Sequence, residues 1–518
     1  MSISYPINGY HLSIPLDQIL SARKASTPKD IALTDCRNAT ARVNYTYHEL
    51  SDFRDRIVAK LSQAGVEAQS RVGLYLEDSI GSLAAVYAVW SLGATLVPLD
   101  HRQTTLNLLS ISRDAELSCI VYETEFETLN PLRTALLDVT FVRLNTFGAA
   151  DVSAGPSLSE PEGVAIIAYT SGTTSNPKGV VIRHRHLRQA YSIAHKSLLH
   201  TTPKRFGTVF KVGGLGVLGL NYLLPMESGS TTVILPELTL GTARGYLEVL
   251  RDNRIDFLYL VPILVQLMQR LTRTNCGYND FDAVTGAAPI SQNLHADFQE
   301  RFDIPLRNIY GMTEATFGIF YGRYDGERRA AWDLGPRVDS IETRIRLPDG
   351  SILKGSGEGI LEVAGPTVTD GYLSNAEATE AIFKAGWIDS GDIVRRDGDG
   401  NYIVTGRSKD VVIRGGFNIH LDEVDHALNA HPSVLSACCV PLKAQSGAET
   451  IAAMVHVIAR CDNLERDLIA FVKDRIGAAK VPNRLIVVTS DLPRNSSGKI
   501  IRRQVLSLVQ ATIERGES

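Results

Sequence analysis

One short stretch limits what this chain can be: Ala168-Tyr169-Thr170-Ser171-Gly172-Thr173-Thr174-Ser175-Asn176-Pro177-Lys178-Gly179. The apolar run from Val164 to Ala168 before it and Val180-Val181-Ile182 after it read as short buried strands. The stretch is therefore a loop between two strands, dense in hydroxyls and glycine, with one lysine near its end. Such a loop suits a polyphosphate. Gly172 and Gly179 let the backbone approach closely, and amide N–H groups together with the hydroxyls of Thr170, Ser171, Thr173 and Thr174 donate to phosphate oxygens. Lys178 adds a positive charge on a flexible stem. The G-x-x-x-x-G-K-[ST] spacing of a Walker A loop is missing, and a strand follows where that loop has a helix. Taken by itself, the stretch also reads as a solvated Ser/Thr turn.

At 518 residues the chain exceeds one ordinary core, so two or more domains are expected. With 21% charged residues and a formal net charge of −4, it has no basic block of the kind that nucleic acid or an anionic membrane needs. No apolar run approaches the ~20 residues that span a bilayer. Met1 to Tyr10 lacks the basic-then-apolar order of a secretory signal. Cys36, Cys119, Cys276, Cys438, Cys439 and Cys461 form no C-x-x-C pair and no zinc spacing. They are expected reduced, in a cytoplasmic protein.

Thr46-Tyr47-His48-Glu49-Leu50 opens a helical pattern with Leu50, Phe53, Ile57 and Leu61 on one face and Gly65 at its stop. Val72–Leu76 reads as a strand, Ile80–Trp90 as a helix and Ala94–Val97 as a strand, which makes a parallel βαβ unit. Further strands are expected at Cys119–Tyr122, Thr140–Leu144, Thr232–Leu235, Phe257–Val261 and Ile360–Val363, the last preceded by a surface loop at Gly355–Gly359. From Val411 the pattern becomes strand, helix, strand, strand, helix, strand, terminal helix, which suits a small α+β domain. His184 and His186, two apart at a helix start, do not share a face and are not read as a metal pair.

Four more stretches carry chemistry. In Asn308-Ile309-Tyr310-Gly311-Met312-Thr313-Glu314, a carboxylate near a polyphosphate site can hold Mg²⁺, a hard cation that prefers oxygen; a turn before a helix is the plain alternative. Gly286-Ala287-Ala288-Pro289 is a small-residue turn on which a flat ring can lie. Trp387-Ile388-Asp389-Ser390-Gly391-Asp392 ends on a carboxylate able to accept from both ribose hydroxyls. Arg407 offers a fixed fork that reaches ribose or phosphate, or pairs with Asp392 as a structural ion pair. Near the C-terminus, Leu492-Pro493-Arg494-Asn495-Ser496-Ser497-Gly498-Lys499-Ile500 places a lysine after a glycine.

In order and together, from about Tyr45 to Ile501, these stretches resemble the adenylate-forming superfamily of acyl- and aryl-CoA synthetases, adenylation domains and luciferases. The family pattern has glycine where Ser175 stands. The resemblance implies an α/β fold: a large multi-subdomain N-terminal domain with βαβ units at 1–408, which binds ATP and acid, and a small mobile α+β domain at 409–518. It implies ATP and Mg²⁺ as cofactors. Glu314 would be the magnesium ligand, Thr313 would contact the α-phosphate and Tyr310 would stack on adenine. Gly286, Ala287, Ala288, Asn308, Ile309 and Gly311 would wall the nucleotide, Asp392 and Arg407 would meet the ribose, and Lys178 the departing pyrophosphate. Lys499 would be the catalytic lysine, bridging carboxylate and α-phosphate, and Lys409 the hinge. Gly415 and Gly416, in Arg414-Gly415-Gly416-Phe417-Asn418-Ile419, would line the thiol channel. The acid pocket would involve Phe210, Lys211, Gly213, Met312 and Phe317. Amino-acid adenylation domains carry aspartate where Lys211 stands, so the resemblance argues against a free α-amino acid. The expected reaction joins a small carboxylic acid to CoA, or to the phosphopantetheine of a carrier protein acting in trans, or to an amine.

Overall fold

The computed structural model describes residues 6–7, 10–11, 14–38, 42–75, 77–144, 160–170, 177–199, 204–209, 214–274, 277–288, 290–323, 327–330, 333–338, 340–414, 417–443, 449–457, 459–494 and 499–515. Two large sheets face each other across one core. The first has six strands in the order Lys178–Arg183, Val164–Thr170, Thr95–Leu99, Arg71–Tyr75, Cys119–Tyr122, Thr140–Arg143; all pair in parallel except the first two. The second has eight: Phe317–Tyr321, Leu306–Met312, Asp282–Gly286, Phe257–Leu260, Arg205–Thr208, Thr231–Ile234, Ile31–Asp35, Val43–Thr46. Its inner strands are parallel, and both edge pairs are antiparallel.

The helix Ile80–Ser91 explains why the sheets stack. Every one of its residues is buried, so it has no polar face to offer water and packs between layers. Trp90 Nε1 donates to the Ala165 carbonyl of the first sheet at 2.9 Å. Residues of both sheets join it in one apolar cluster. The outer faces are covered too, the first sheet by Thr105–Asp114 and Leu129–Ala135, the second by Tyr246–Asp252, Pro262–Leu271 and Gln292–Phe302. Burial on both faces is why these parallel strands read as continuous apolar runs. The helix Tyr47–Gln63 starts as expected: Thr46 and Glu49 close a capping box.

A third, antiparallel sheet contains Glu342–Arg346, Gly357–Ala364, Trp387–Arg396, Phe383–Lys384 and Tyr402–Arg407. The expectation of a surface loop at Gly355–Gly359 is corrected here, because Gly357 and Gly359 lie within a strand. A Cβ on Gly359 would sit 2.5 Å from the Arg346 carbonyl oxygen, so close strand approach, not a turn, requires this glycine.

Beyond Val411 the chain builds its own core. A hairpin, Val411–Arg414 with Phe417–His420, precedes the helix Leu421–Asn429; the expectation of a single strand there missed the returning one. Three strands follow, Val434–Lys443, Glu449–Val457 and Arg484–Val488, with helices Leu464–Ile476 and Arg502–Glu514. Two apolar clusters are made of residues 412–509 alone, as an independently folding unit requires. Gln266 Nε2 and Arg270 Nη2, on Pro262–Leu271, both donate to the Val434 carbonyl, at 3.3 and 2.9 Å, and tie this unit to the large domain. Among the described residues no helix is long and apolar enough to cross a membrane. Cys36, Cys119, Cys438 and Cys439 are buried free thiols.

Candidate active site

A cavity of about 610 Å³ lies where the two units meet. Gly286, Ala287 and Ala288, at the end of strand Asp282–Gly286, form one wall, and Asn308, Ile309, Tyr310 and Gly311 of the neighbouring strand form the next. The third sheet contributes Asp392 and Arg407, and the C-terminal unit contributes His420, Asp422, Glu423, His426 and Lys499. Motifs spread over more than two hundred residues thus meet around one space.

Small residues build the wall for a reason. Strands Leu306–Met312 and Phe317–Tyr321 form a hairpin through the 3-10 turn Thr313–Ala315, so no helix follows the Tyr310–Glu314 motif. The hairpin bulges between Tyr310 and Gly311, and there a Cβ on Gly311 would lie 1.3 Å from the Phe317 carbonyl oxygen. Only glycine fits. Ala287 (φ +65°) and Thr316 (φ +65°) are left-handed without being glycine, which concentrates backbone strain at this site.

Asp392 is 5% exposed and organises one side. Its Oδ2 accepts from the Tyr310 hydroxyl at 2.5 Å, and its Oδ1 pairs with Arg407 Nε at 2.8 Å. Its own amide donates to Ser390 Oγ (3.1 Å), which donates in turn to the Leu361 carbonyl. Burial first, and the Asp392 carboxylate second, push the Tyr310 hydroxyl well above the usual phenol range, so it stays a proton donor. The ion pair expected as the alternative role of Arg407 is present, on a carboxylate that also faces the cavity.

Lys499 lines the same cavity as that pair. Burial first, and the Arg407 charge second, lower its ammonium to about 8, against the opposing pull of Asp392, Asp422 and Asp410. The residues on either side of its loop are pinned, since Arg494 bridges Ile500 and Ile501 N donates to the Pro493 carbonyl at 2.8 Å.

Glu314 lies on the turn after the wall strand, and its Oε1 accepts from the Tyr372 hydroxyl at 2.7 Å. Tyr372 also presents its ring to Lys178, whose Nζ is 5.2 Å from the centroid. Its main chain bridges Val180, and Leu373 N donates to the Gly179 carbonyl at 2.7 Å. Val164–Thr170 and Lys178–Arg183 pair antiparallel, with Lys178 opposite Thr170. Ser171, Gly172, Thr173 and Thr174 lie outside the described residues, as does the side chain of Thr170. So do Phe210, Lys211 and Gly213 of the expected acid pocket, and Gly415 and Gly416 of the expected thiol channel. Thr313 is on the turn with Glu314. Met312 is partly buried; Phe317 is buried, 5.9 Å from the Tyr191 ring and against Gly219. Lys409 is exposed, between Arg407 and Asp410.

Sequence reasoning missed Tyr372 and the C-terminal acid Asp422. A Gly-Tyr pair in a connecting loop carries no chemistry-specific spacing, and an acid at a helix start reads as a dipole partner.

Comparison with known proteins identifies the family. The family described as AMP-binding enzyme matches residues 20–373, and the AMP-binding enzyme C-terminal domain matches residues 423–499, ending on Lys499. The chain is similar to a 2-succinylbenzoate–CoA ligase of Bacillus mycoides (28% identical over 470 residues, 90% of this chain and 94% of that protein). It is similar to an indoleacetate–CoA ligase of Aromatoleum aromaticum (27% over 487 residues, 90% and 93%). In fold it resembles the o-succinylbenzoate CoA synthetase of Bacillus subtilis solved with its acyl-adenylate intermediate (TM-score 0.81, 23% identical, 94% and 97% covered). The same enzyme with ATP and magnesium gives a TM-score of 0.80 at 23% identity, covering 94% and 99%. Since the family matches more than half of its length, this chain belongs to the AMP-binding enzymes.

Proposed function

We propose that this chain is an AMP-forming acid–thiol ligase that activates an aryl or arylalkanoic acid and passes it to CoA. The observation that carries the reading is the single cavity lined by Gly286–Ala288, Tyr310, Asp392, Arg407 and Lys499. The acid class rests on the two CoA ligases similar to it over nine-tenths of its length. Buried free thiols fit a cytoplasmic enzyme.

A carboxylate is a poor electrophile. Its oxygen attacks the α-phosphorus of ATP, the bond to the β-phosphate oxygen breaks, and pyrophosphate leaves. Adenine lies between the 286–288 wall and Tyr310, and the ribose hydroxyls donate to Asp392. Lys499 faces the carboxylate and α-phosphate oxygens, where negative charge grows. Lys178 and the 170–174 hydroxyls meet the pyrophosphate. Glu314 fits magnesium: Tyr372 takes one of its oxygens and orients the carboxylate, whose remaining lone pairs and the phosphates supply the oxygen ligands this ion prefers. The ion, when bound by Glu314, neutralises phosphate charge. In the second half the C-terminal unit turns about Lys409 and brings Gly415–Gly416 to the site. The thiol sulfur then attacks the acyl carbon, its proton goes to solvent, and AMP leaves with the electrons of the broken C–O bond.

The reading is tested by acid-dependent pyrophosphate release over a panel of benzoic, phenylacetic, indoleacetic and dicarboxylic acids, with and without CoA. Acyl-CoA by mass, at a rate that needs CoA, supports it. Adenylate accumulating with CoA unconsumed points to a carrier protein or an amine, and silence across the panel contradicts the acid class.

Two expected outcomes follow from the site. Lys499 works as a cation and is lowered to about 8, so the active form is lost as pH rises through that value. The pH profile of kcat/KM for adenylation should fall on its alkaline side from near pH 8, and that limb should be gone from the residual activity of Lys499→Ala. Tyr372→Phe removes the hydroxyl that orients Glu314. It should raise the Mg²⁺ concentration for half-maximal pyrophosphate release by about tenfold, the lower end of what loss of a residue orienting a metal ligand costs. Titration of metal-free AMP should be unaffected.

A further inference from the structure

Four segments converge on one side chain just after Lys499. Arg502 opens the last helix, Arg502–Glu514. Its Nη2 bonds Asp422 Oδ1 at 2.5 Å and Asp425 Oδ2 at 3.0 Å, and its Nε lies 3.3 Å from Asp410 Oδ2. Its Nη1 also donates to the Cys439 carbonyl. One guanidinium therefore joins the segment after Lys409, the helix Leu421–Asn429, the strand Val434–Lys443 and the residues that follow Lys499. Asp410 N in turn donates to the Arg407 carbonyl at 3.1 Å, and Leu421 N to the Asp410 carbonyl at 2.9 Å. A continuous path thus runs from Asp392 through Arg407, Asp410 and Arg502 to Lys499.

We propose that Arg502 is the positioning residue of Lys499: it locks the lysine segment to the Asp410 end of the hinge and so sets the lysine opposite Asp392 for adenylation. The proposal rests on the reading of Lys499 given above. Charge explains why an arginine is needed. Asp410, Asp422 and Asp425 surround the position, and both Asp410 and Asp422 also attract Lys499. Arg502 occupies these carboxylates with a forked cation that meets several at once, which a point-charge ammonium cannot do. With Arg502 engaged, the acids cannot capture Lys499 and draw it away from Asp392. The latch lies within the C-terminal unit and at its hinge, so it matters for the half-reaction that uses Lys499 and not for the one from which Lys499 is withdrawn.

The test separates the halves on the full chain. Acid-dependent ATP–pyrophosphate exchange reads the first, with the acid that gives the fastest pyrophosphate release. Thioester formation from the chemically made adenylate of that acid, plus CoA, reads the second. Arg502→Gln and Asp410→Asn should slow exchange by about tenfold to a hundredfold, the scale of an ångström misplacement of a catalytic group. Thioester formation should stay within about twofold, and Arg502→Lys should recover part of the exchange. Asp410→Asn leaves Arg502 its bonds to Asp422 and Asp425, so it carries the test if Arg502→Gln fails to fold. Exchange at the parent rate in folded variants overturns the proposal, as does an equal fall in both halves. Lys499→Ala in the same two assays keeps the readings apart: if it retains exchange, the role given to Lys499 fails, whatever Arg502 does.

Discussion

Lys499→Ala should lower acid-dependent ATP–pyrophosphate exchange by about 10²–10³-fold and leave thioester formation from preformed adenylate nearly intact. The magnitude is that of removing one preorganised group from the point where charge develops, about 2.7–4 kcal/mol. The asymmetry comes from geometry. Lys499 lines the cavity together with Asp392 and Arg407, which is the arrangement that the proposed role in adenylation requires. Its ammonium is held in a buried place that lowers it to about 8, and the enzyme bears that cost where a cation is useful. Lys499→Arg should not rescue, because a planar fork does not fit the space of a compact ammonium. A parallel loss in both half-reactions would mean that the lysine supports structure and not chemistry.

Asp392→Ala should weaken nucleotide binding by about one to two orders of magnitude, the equivalent of one hydrogen bond to a charged group at about 1.5–3 kcal/mol. Asp392 holds the Tyr310 hydroxyl and Arg407 on its two oxygens while it lines the cavity. In the proposed role its removal deprives the ribose of an acceptor, and it frees two cavity residues at once. Equilibrium titration with AMP reads the loss without metal, acid or CoA. KM for ATP should rise far more than kcat falls. If Asp392 served only as the ion-pair partner of Arg407, the variant would melt at a lower temperature with unchanged affinity for AMP in its folded form. The two roles therefore separate in one pair of measurements.

Much of the scaffold was legible because local pattern and burial coincide. Cys119–Tyr122 is an unbroken apolar run, and it is a strand with those bounds, covered on both faces. Ile80–Ser91 is apolar all round, and it is the helix between the sheets. Gly286, Ala287 and Ala288 read only as a small-residue turn, and it was the family resemblance that implied a nucleotide wall there and at Tyr310; the cavity gathers these residues with Asp392 and Lys499. What stayed hidden is side-chain pairing over long separations. Tyr372 meets Glu314 across 58 positions, and Arg502 meets Asp422 across 80. No period or spacing encodes such contacts; they exist only once the hairpin and the C-terminal helices have packed. Gly357 and Gly359 misled for a related reason. Glycine reads as a turn, whereas at Gly359 the missing side chain lets the Arg346 carbonyl approach, and Gly357 packs against the Leu353 side chain at φ +151°.

The central claim, that a carboxylate is activated as an acyl-adenylate and then passed to a thiol, is tested most directly by the path of oxygen. The enzyme would be supplied with ATP, CoA and its best acid carrying labelled carboxylate oxygens, and the AMP product weighed. A carboxylate oxygen that attacks the α-phosphorus stays with AMP when the thiol attacks the acyl carbon. The account predicts AMP bearing one labelled oxygen, formed in step with acyl-CoA. Unlabelled AMP, or label carried into phosphate with ADP as the nucleotide product, would contradict it.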